Sequence, residues 1–491
     1  MSTNNYILNL LNIKDENIHI ITERKEKVIK GKNYKIIEGI LTYKPECCPC
    51  CGIVNESSMD IIKWGFRKNC IIKIPKQGNC LTRLILHKQR FFCKHCNNTF
   101  IAETNLVDRN KNISNNTNHQ IRLELMEKQS EKDIAKRMDV SVSVIDRILN
   151  EISSHTVLRH STLPKSMNWD EFKATKDTKS KMAFIITDND NGTLFDINDS
   201  RKSRDLEKYF RRYSKQERDK VKHISIDFYS GYIYLAKKLF KNADISIDRF
   251  HIVIQAYNAL NSTRVNLCKK DNYNYNKLKD YWKLIVKNEK DLSDEKHYSK
   301  HFHKDISQKE IVQYLINTSL TLKATYECYQ GLINSLKEKN FNKFKAITFN
   351  QNKNLSPKMR HVLKLYKENI NYIENSFKYD INNGIIEGTN NLIKCIKRIA
   401  FGYRKYDHFI ARIFLIKGII KGWFSSSFII NSFIKFIVHQ HYLTKNPNYS
   451  FTFEKLFFKA TVVPSNEIKA NPIIAGKLIS EVLGFFSATL L

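Results

Sequence analysis

Eight of the eleven cysteines fall between Cys47 and Cys96, and no other feature restricts the fold as much. Four stand together in CCPCCG (Cys47, Cys48, Cys50, Cys51) and two more in CKHC (Cys93, Cys96). Two thiolates three positions apart can both reach one tetrahedral Zn²⁺, and two such pairs close a four-thiolate site. The preferred set is Cys48 and Cys51 with Cys93 and Cys96, because Gly52 then follows the second cysteine, where a tight turn is useful. Cys47 and Cys50 share the spacing, so the register of the first knuckle stays open. Ordinary free thiols are the plain alternative, and a disulfide framework suits a reducing compartment poorly. The 41 residues between the knuckles hold strand-like runs, Cys70–Ile74 and Leu81–His87, that suit a hairpin. They also carry Lys63, Arg67, Lys68, Lys73, Lys76, Arg83, Lys88 and Arg90 against Glu56 and Asp60. The expectation is a structural zinc ribbon over 41–105, after an N-terminal segment 1–40, with Arg67, Lys88 and Arg90 on DNA.

The charge of the whole chain points the same way. Lys and Arg number 82 against 49 Asp and Glu, a formal net charge of +33. A/T-rich coding inflates this figure, but such an excess still calls for a polyanion, whose counterions are released on binding. An acidic membrane surface is the rival partner. With 42% hydrophobic residues the chain is not disordered, and 15 Gly and 8 Pro exclude collagen and Pro-rich arrays. The opening residues show no secretory signal, and the apolar stretch Phe409–Val438 is broken by Arg412, Lys417, Lys421 and Lys435. The expected protein has no membrane segment and is cytoplasmic and nucleoid-associated.

Between 115 and 155 the periodicity is helical. His119–Gln129 repeats Ile121, Leu123, Leu125 and Met126. Ser130-x-x-Asp133 is a capping-box pattern opening Glu131–Met138, whose apolar face is Ile134, Ala135 and Met138. After the turn Asp139–Val140, Ser141 is the candidate N-cap of Val142–Ile152, which would bury Val142, Ile145, Ile148 and Leu149. Two short helices across such a turn suit a helix-turn-helix DNA-binding domain, with Ser141, Ser143, Asp146 and Arg147 facing the groove or backbone. A plain packing element is the alternative.

After Pro164 the pattern becomes mixed. Met167–Thr175, Met182–Thr187 and Thr193–Ile197 read as strands and Ser203–Tyr213 as a helix. His223–Asp227 is a short strand, Gly231–Phe240 a helix and Ala243–Asp248 another strand. That order belongs to the ribonuclease-H-like fold. Asp170 lies in the first strand and Asp227 ends the fourth, so their carboxylates can converge on hard divalent cations. Two Mg²⁺ ions (or Mn²⁺) about 4 Å apart would clamp the attacking and leaving oxygens of a phosphodiester. Glu387 is the candidate third acid. On one helix it shares a face with Asn390, Asn391, Lys394, Lys397 and Arg398, while Ile386, Leu392, Ile393 and Ile396 favour the other. The alternative is a surface ion-pair stripe, and the rival acids are Glu171, Asp188, Asp190, Asp196, Asp244 and Asp248. Glu171 should point away from Asp170, since side chains alternate along a strand.

These stretches together resemble the DDE transposases of bacterial insertion sequences, of the ISL3 type. The matching stretches are CPCCG, RFFCKHCNNTF, WDEF around Asp170, HISIDFYSGY around Asp227, ADISIDRFH ending at His251, and IIEGTNNLIKCIKRIAFGYRKYDHF around Glu387. They span roughly residues 40–425. The resemblance implies that Asp170, Asp227 and Glu387 are the catalytic and Mg-binding triad and that Asp248 and His251 form a supporting Asp-x-x-His signature; the amides and bases down the face of Glu387, among them Asn390, Lys394 and Arg398, suit a place beside DNA phosphates. The implied fold is multidomain α+β: zinc ribbon, helix-turn-helix, and a ribonuclease-H-like α/β core in two parts, 165–251 and 382–425. An α-helical insertion, 252–381, separates the two parts. Glu310–Leu336 is helical in pattern there, and Ser356-Pro357 reads as an N-cap followed by Pro. The insertion is expected to hold DNA ends or a second protomer. The tail 426–491 has no assigned role beyond an amphipathic run at Ile473–Leu491. The expected activity is metal-dependent cleavage and strand transfer at terminal inverted repeats, by a homo-oligomer holding two ends and a target. The alternative is a transposase-derived DNA-binding regulator without catalysis.

Overall fold

The computed structural model describes residues 3–29, 31–57, 60–78, 80–154, 160–178, 180–379 and 384–419. These fall into two compact units: 3–127, 134–141 and 414–419 form one, 128–133 and 142–413 the other. The tail 426–491 lies outside the described residues. Among the described residues no helix is long and apolar enough to cross a membrane.

In the first unit, helix α1 (Thr3–Leu10) precedes strands β1 (Ile18–Ile29), β2 (Lys32–Leu41), β3 (Ile61–Gln77), β4 (Cys80–Cys93) and β5 (Thr99–Ile101). Alternation of apolar and polar residues in β4 buries Thr82, Leu84 and Leu86 on one face, as a half-buried strand requires. The sheet order is β1-β2-β4-β3, with β5 also on β4. β3 and β4 form the expected hairpin, longer than the sequence runs suggest. The segment 1–40 is not separate from it: β2 pairs in parallel with β4, from Tyr34 beside Leu81 to Leu41 beside Lys88. Leu8, Leu11, Ile18, Leu41, Ile72, Leu84, Leu86 and Phe91 make one core across this boundary.

Helices α2 (Asn115–Glu124), α3 (Glu131–Arg137) and α4 (Val142–Ser154) follow. Ser130 Oγ accepts from the Asp133 backbone N–H at 3.1 Å and donates to the Asp133 carboxylate, so the capping pair is made through the side chain. Ile134, Ala135, Met138, Ile145, Ile148 and Leu149 are buried as expected, whereas Val142 is 43% exposed. Asp139, at φ +52°, turns the chain after α3. Its carboxylate accepts from Lys32 Nζ at 3.1 Å, Tyr34 Oη at 2.9 Å and Arg83 Nη2 at 3.3 Å, with Lys73 Nζ at 3.6 Å. Burial raises its pKa, but these donors and charges outweigh it and hold the carboxyl below its ordinary range. The stretch 115–155 is shared between the two units, with 134–141 in the first.

The second unit is built on strands β6 (Ser166–Lys173), β7 (Met182–Asp188), β8 (Thr193–Asn198), β9 (His223–Ile226) and β10 (Asp244–Ile247). Their order is β10-β9-β6-β7-β8: β6, β7 and β8 are antiparallel neighbours, and β9 and β10 run parallel with β6. Helices α5 (Ser203–Phe210) and α6 (Lys215–Asp219) connect β8 to β9, α7 (Ser230–Leu239) connects β9 to β10, and α8 (Arg249–Cys268) leaves the sheet. Trp169 in β6 packs on Phe210 at 4.9 Å between ring centroids, with Phe184, Phe240 and Tyr232 around it.

The insertion comprises α9 (Tyr275–Asp280), α10 (Trp282–Val286), the hairpin β11 (Lys296–Ser299) and β12 (Lys304–Ser307), then α11 (Gln308–Asn317), α12 (Leu320–Lys337), α13 (Phe341–Phe349), α14 (Pro357–Glu368) and α15 (Ile370–Lys378). The run Glu310–Leu336 is two helices, because Ser319 caps α12 by accepting from Leu322 N–H. Ser356 caps α14 ahead of Pro357. Two helices complete the described chain, α16 (Gly384–Ile399) and α17 (Tyr406–Ile416).

His223 illustrates how tightly this sheet is built. It is buried in β9 with Nδ1 3.2 Å from Ser166 Oγ and Nε2 2.9 Å from Ser246 Oγ. Burial pulls its pKa down from 6.5 to about 4, with Asp244 opposing. The unfolded chain therefore takes up this proton first as pH falls. Stability is full above 6.5 and lost down to about 4, by about 3 kcal/mol over that window. Thermal melts between pH 7.5 and 4.5 should show a shallower acid loss for His223→Gln than for wild type.

Candidate functional site

The carboxylates are placed by strand register. β6 pairs with β9 from Ser166 beside His223 to Asn168 beside Ser225. Two residues further along, the same register sets Asp170 beside Asp227. β9 pairs with β10 from His223 beside Asp244 to Ile226 beside Ile247, and one residue further sets Asp227 beside Asp248. Three aspartates thus share one row across adjacent parallel strands, which lie about 4.8 Å apart.

Alternation along β6 separates the two acids of WDEF. Trp169 and Glu171 point toward α5 and α7: Glu171 takes both its oxygens to Arg201 Nη1 at 2.7 Å and accepts from Tyr232 Oη at 3.3 Å. Asp170 and Phe172 point the other way, toward α16 and α17, where Phe172 meets Phe409. Asp170 Oδ1 accepts from Glu171 N–H at 2.7 Å and Oδ2 from Asn390 Nδ2 at 2.6 Å. Asp227 Oδ1 accepts from Tyr229 N–H at 2.9 Å, and Asp248 Oδ1 caps α8 through Phe250 N–H at 2.8 Å.

The rival acids are mostly engaged in building the fold. Asp188 holds the β7–β8 turn through the N–H groups of Asp190 and Asn191. Asp196 accepts from Tyr209 Oη at 2.6 Å, and Asp244 from Tyr379 Oη. Asp170, Asp227 and Asp248 behave differently. The carboxyl of each is pushed above its ordinary range, first by burial, against a backbone N–H and His251, with neighbouring carboxylates adding to the rise. Acids that resist ionising in each other's company fit a hard divalent cation, which would supply the missing countercharge.

Helix α16 packs over β6 and β8. Ile386, Thr389, Ile393 and Ile396 are its buried face. The polar residues grouped together by sequence divide in two. Asn390 and Lys397 face β6, where Lys397 Nζ donates to the carbonyls of Lys173 and Ala174. Glu387, Asn391, Lys394 and Arg398 are exposed along the adjoining stripe. Asn390, read from sequence as a DNA contact, is therefore a partner of Asp170. Glu387 stands one turn before it and is not drawn into a cluster with Asp170 and Asp227. Among the described residues only the cysteines form a group of three or more such side chains around one point.

That group is Cys48, Cys51, Cys93 and Cys96, whose sulfurs lie within 4.8 Å of one another. Cys48 and Cys96 are 3.7 Å apart, Cys51 and Cys93 3.8 Å. Gly52, at φ +77°, turns the first knuckle so that Gly52 N–H reaches Cys48 O. Cys47 and Cys50 are outside the group. The Asn98 backbone N–H, then the other thiols, pull Cys96 down to about 7. Cys51 is pushed up to about 12: the Ile53 backbone N–H lowers it, but desolvation and the three other thiols outweigh that. Four thiols that cannot ionise together suit a tetrahedral dication such as Zn²⁺.

The basic and polar candidates for DNA contact are spread out. Arg67 is exposed on β3, opposite the half-buried Lys88 on β4, and Arg90 is half-buried. Like charges directly opposite are destabilising without an anion between them. Ser141, Ser143 and Arg147 are exposed, but Asp146 is tied to Lys405 and His408. His251 lies beside the aspartate row at the start of α8. Sequence reasoning did not find the Arg201–Glu171 pair or the cations around Asp139. The acidic turn Asp139–Val140 between two helical patterns was the available signal for the latter.

Comparison with known proteins adds the following. A family model for ISL3-type DDE proteins, described as transposase, matches residues 168–413. Over 124 residues the chain is 29% identical to a Lactococcus lactis subsp. lactis protein described as an ATP-dependent protease. That match covers 25% of this chain and only 40% of the curated relative.

Zinc content gives a direct check on the cysteine group. Purified protein should carry one zinc per chain, and Cys93→Ser should lose it together with several kcal/mol of stability in the first unit. Metal analysis and thermal melts read both.

Proposed function

Because the chain belongs to the ISL3 family of DDE transposases, a DNA-directed family, we propose that it cuts and joins DNA at the terminal inverted repeats of an insertion sequence. The single observation that carries this reading is the row of Asp170 and Asp227 on adjacent parallel strands, with α16 tied onto Asp170. We read a sheet of this order, with an acid-bearing helix laid over its first strand, as a ribonuclease-H-like core interrupted by the helical insertion.

In this reading Asp170, Asp227 and Glu387 are the catalytic acids. Divalent cations, Mg²⁺ or Mn²⁺, held by them would stabilise charge on the attacking and leaving oxygens of the phosphodiester. The chain supplies position. Backbone N–H groups of Glu171 and Tyr229 fix one oxygen each of Asp170 and Asp227. Asp248, at the end of the same row, and His251 set the local charge. Lys394 and Arg398, exposed on the stripe of Glu387, would take DNA phosphates beside the cleaved bond. Water is the nucleophile in the first cut, and the freed 3′-hydroxyl attacks target DNA in the second. Both are in-line displacements, so one geometry serves both.

End recognition falls to the first unit and α4. The zinc-held sheet, with Arg67, Lys88 and Arg90, would neutralise phosphates, and Ser141, Ser143 and Arg147 would meet the groove. Two ends and a target must be held at once, so the working form is a homo-oligomer on double-stranded DNA, in the cytoplasm at the nucleoid.

The test is strand cleavage on duplexes carrying the gene's own flanking repeats. Asp170→Asn, Asp227→Asn and Glu387→Gln should each lose on the order of 10³-fold or more in cleavage while still binding the ends. Asp190→Asn, an exposed turn acid, should cleave like wild type. Cleavage by Glu387→Gln at the wild-type rate would remove Glu387 from the triad. End binding without cleavage by the wild type would point to a regulator instead.

A further inference from the structure

Among the buried polar atoms near the carboxylate row that lack a partner, Asn390 Oδ1 belongs to the side chain that touches Asp170. Asn390 donates its amide to Asp170 Oδ2 at 2.6 Å. Its own Oδ1 is shut off from solvent and accepts no hydrogen bond among the described residues. A buried amide oxygen without a donor is unfavourable, and such groups are rare unless they have work to do. The amide is two-sided. Half a turn about its last bond exchanges a donor for an acceptor of nearly the same size. The donor must face Asp170 when nothing lies between them, because two oxygens at that distance repel.

We propose that Asn390 is a further ligand of the catalytic cation, turning its amide so that Oδ1 joins Asp170 on the ion. This rests on the reading of Asp170 as a cation ligand. Hard divalent cations take amide oxygens alongside carboxylates. The helix need not move for the exchange, since α16 is also held to β6 by Lys397 on the carbonyls of Lys173 and Ala174. The orphaned oxygen then gains a partner, and Asp170 exchanges a hydrogen bond for a full countercharge. The competing idea, that Asn390 merely blocks Asp170 until a cation displaces it, has the opposite sign: its removal would tighten cation binding.

The experiment is Mn²⁺ titration of the full-length, zinc-loaded protein without DNA, with free Mn²⁺ read by electron paramagnetic resonance. Asn390→Ala should weaken Mn²⁺ binding about 10- to 100-fold. Asn390→Asp, which keeps an oxygen at the same place and adds charge, should bind at least as tightly as wild type. Unchanged or tighter binding by Asn390→Ala overturns the inference. Weakening by both variants overturns it too, since that marks a packing role. Asp170→Asn separates the reading of the site from the role of Asn390. If it binds Mn²⁺ like wild type, the reading of the site fails and this inference with it. If it loses Mn²⁺ while Asn390→Ala does not, only the role of Asn390 falls.

Discussion

Parallel pairing between β6 and β9 brings residues 57 positions apart side by side, and the rest of the second unit is arranged around that register. A slip of one residue would turn Trp169 out of its aromatic cluster and Asp170 away from α16, because the two faces of β6 alternate. The apolar cluster around Trp169 therefore guards the position of the acid next to it. The aromatic cluster and the acid proposed for chemistry occupy opposite faces of one strand. The cost appears in the aspartates themselves: half-buried and close to one another, their carboxyls are pushed above the ordinary range.

Charge is managed differently in the two units. In the first, Lys32, Lys73 and Arg83 converge on a single carboxylate, Asp139, so a cluster of like charges becomes a tie for the turn after α3. Lys73 and Arg83 face each other across β3 and β4, and Asp139 is what makes that pairing tolerable. Arg67 and Lys88 face each other on the same two strands, and among the described residues no carboxylate forms an ion pair with either. The two cross-strand pairs thus differ: one is neutralised within the fold, and the other is the pair proposed above to meet phosphate.

What could be read from the residues alone was whatever depends on local spacing. Two cysteines three apart, Ser130 ahead of Asp133, and Ser356 ahead of Pro357 each state a geometry within a few residues. The strands of the second unit were legible because their apolar runs are short and bounded. What was not legible depends on pairing across distance. Nothing in Lys32–Leu41 says that it runs parallel to β4, so the boundary at residue 40 dissolves in the sheet. Helical spacing put Asn390 on the polar side of α16, but not on the edge that meets β6. The break at Ser319 was hidden because the apolar period continues through it.

The insertion between α8 and α16 also has a consequence in time. Asp227 and Glu387 are separated by 160 residues, so a chain growing at ordinary rates carries Asp170 and Asp227 for about 8–30 s before Glu387 is added. During that interval every strand of the core sheet has been made, yet α16 does not exist. Any product cut short before Gly384 keeps the four clustered cysteines and the helices after them but has neither Glu387 nor Asn390. Such a fragment has the parts proposed to hold DNA and lacks those proposed to complete its cleavage.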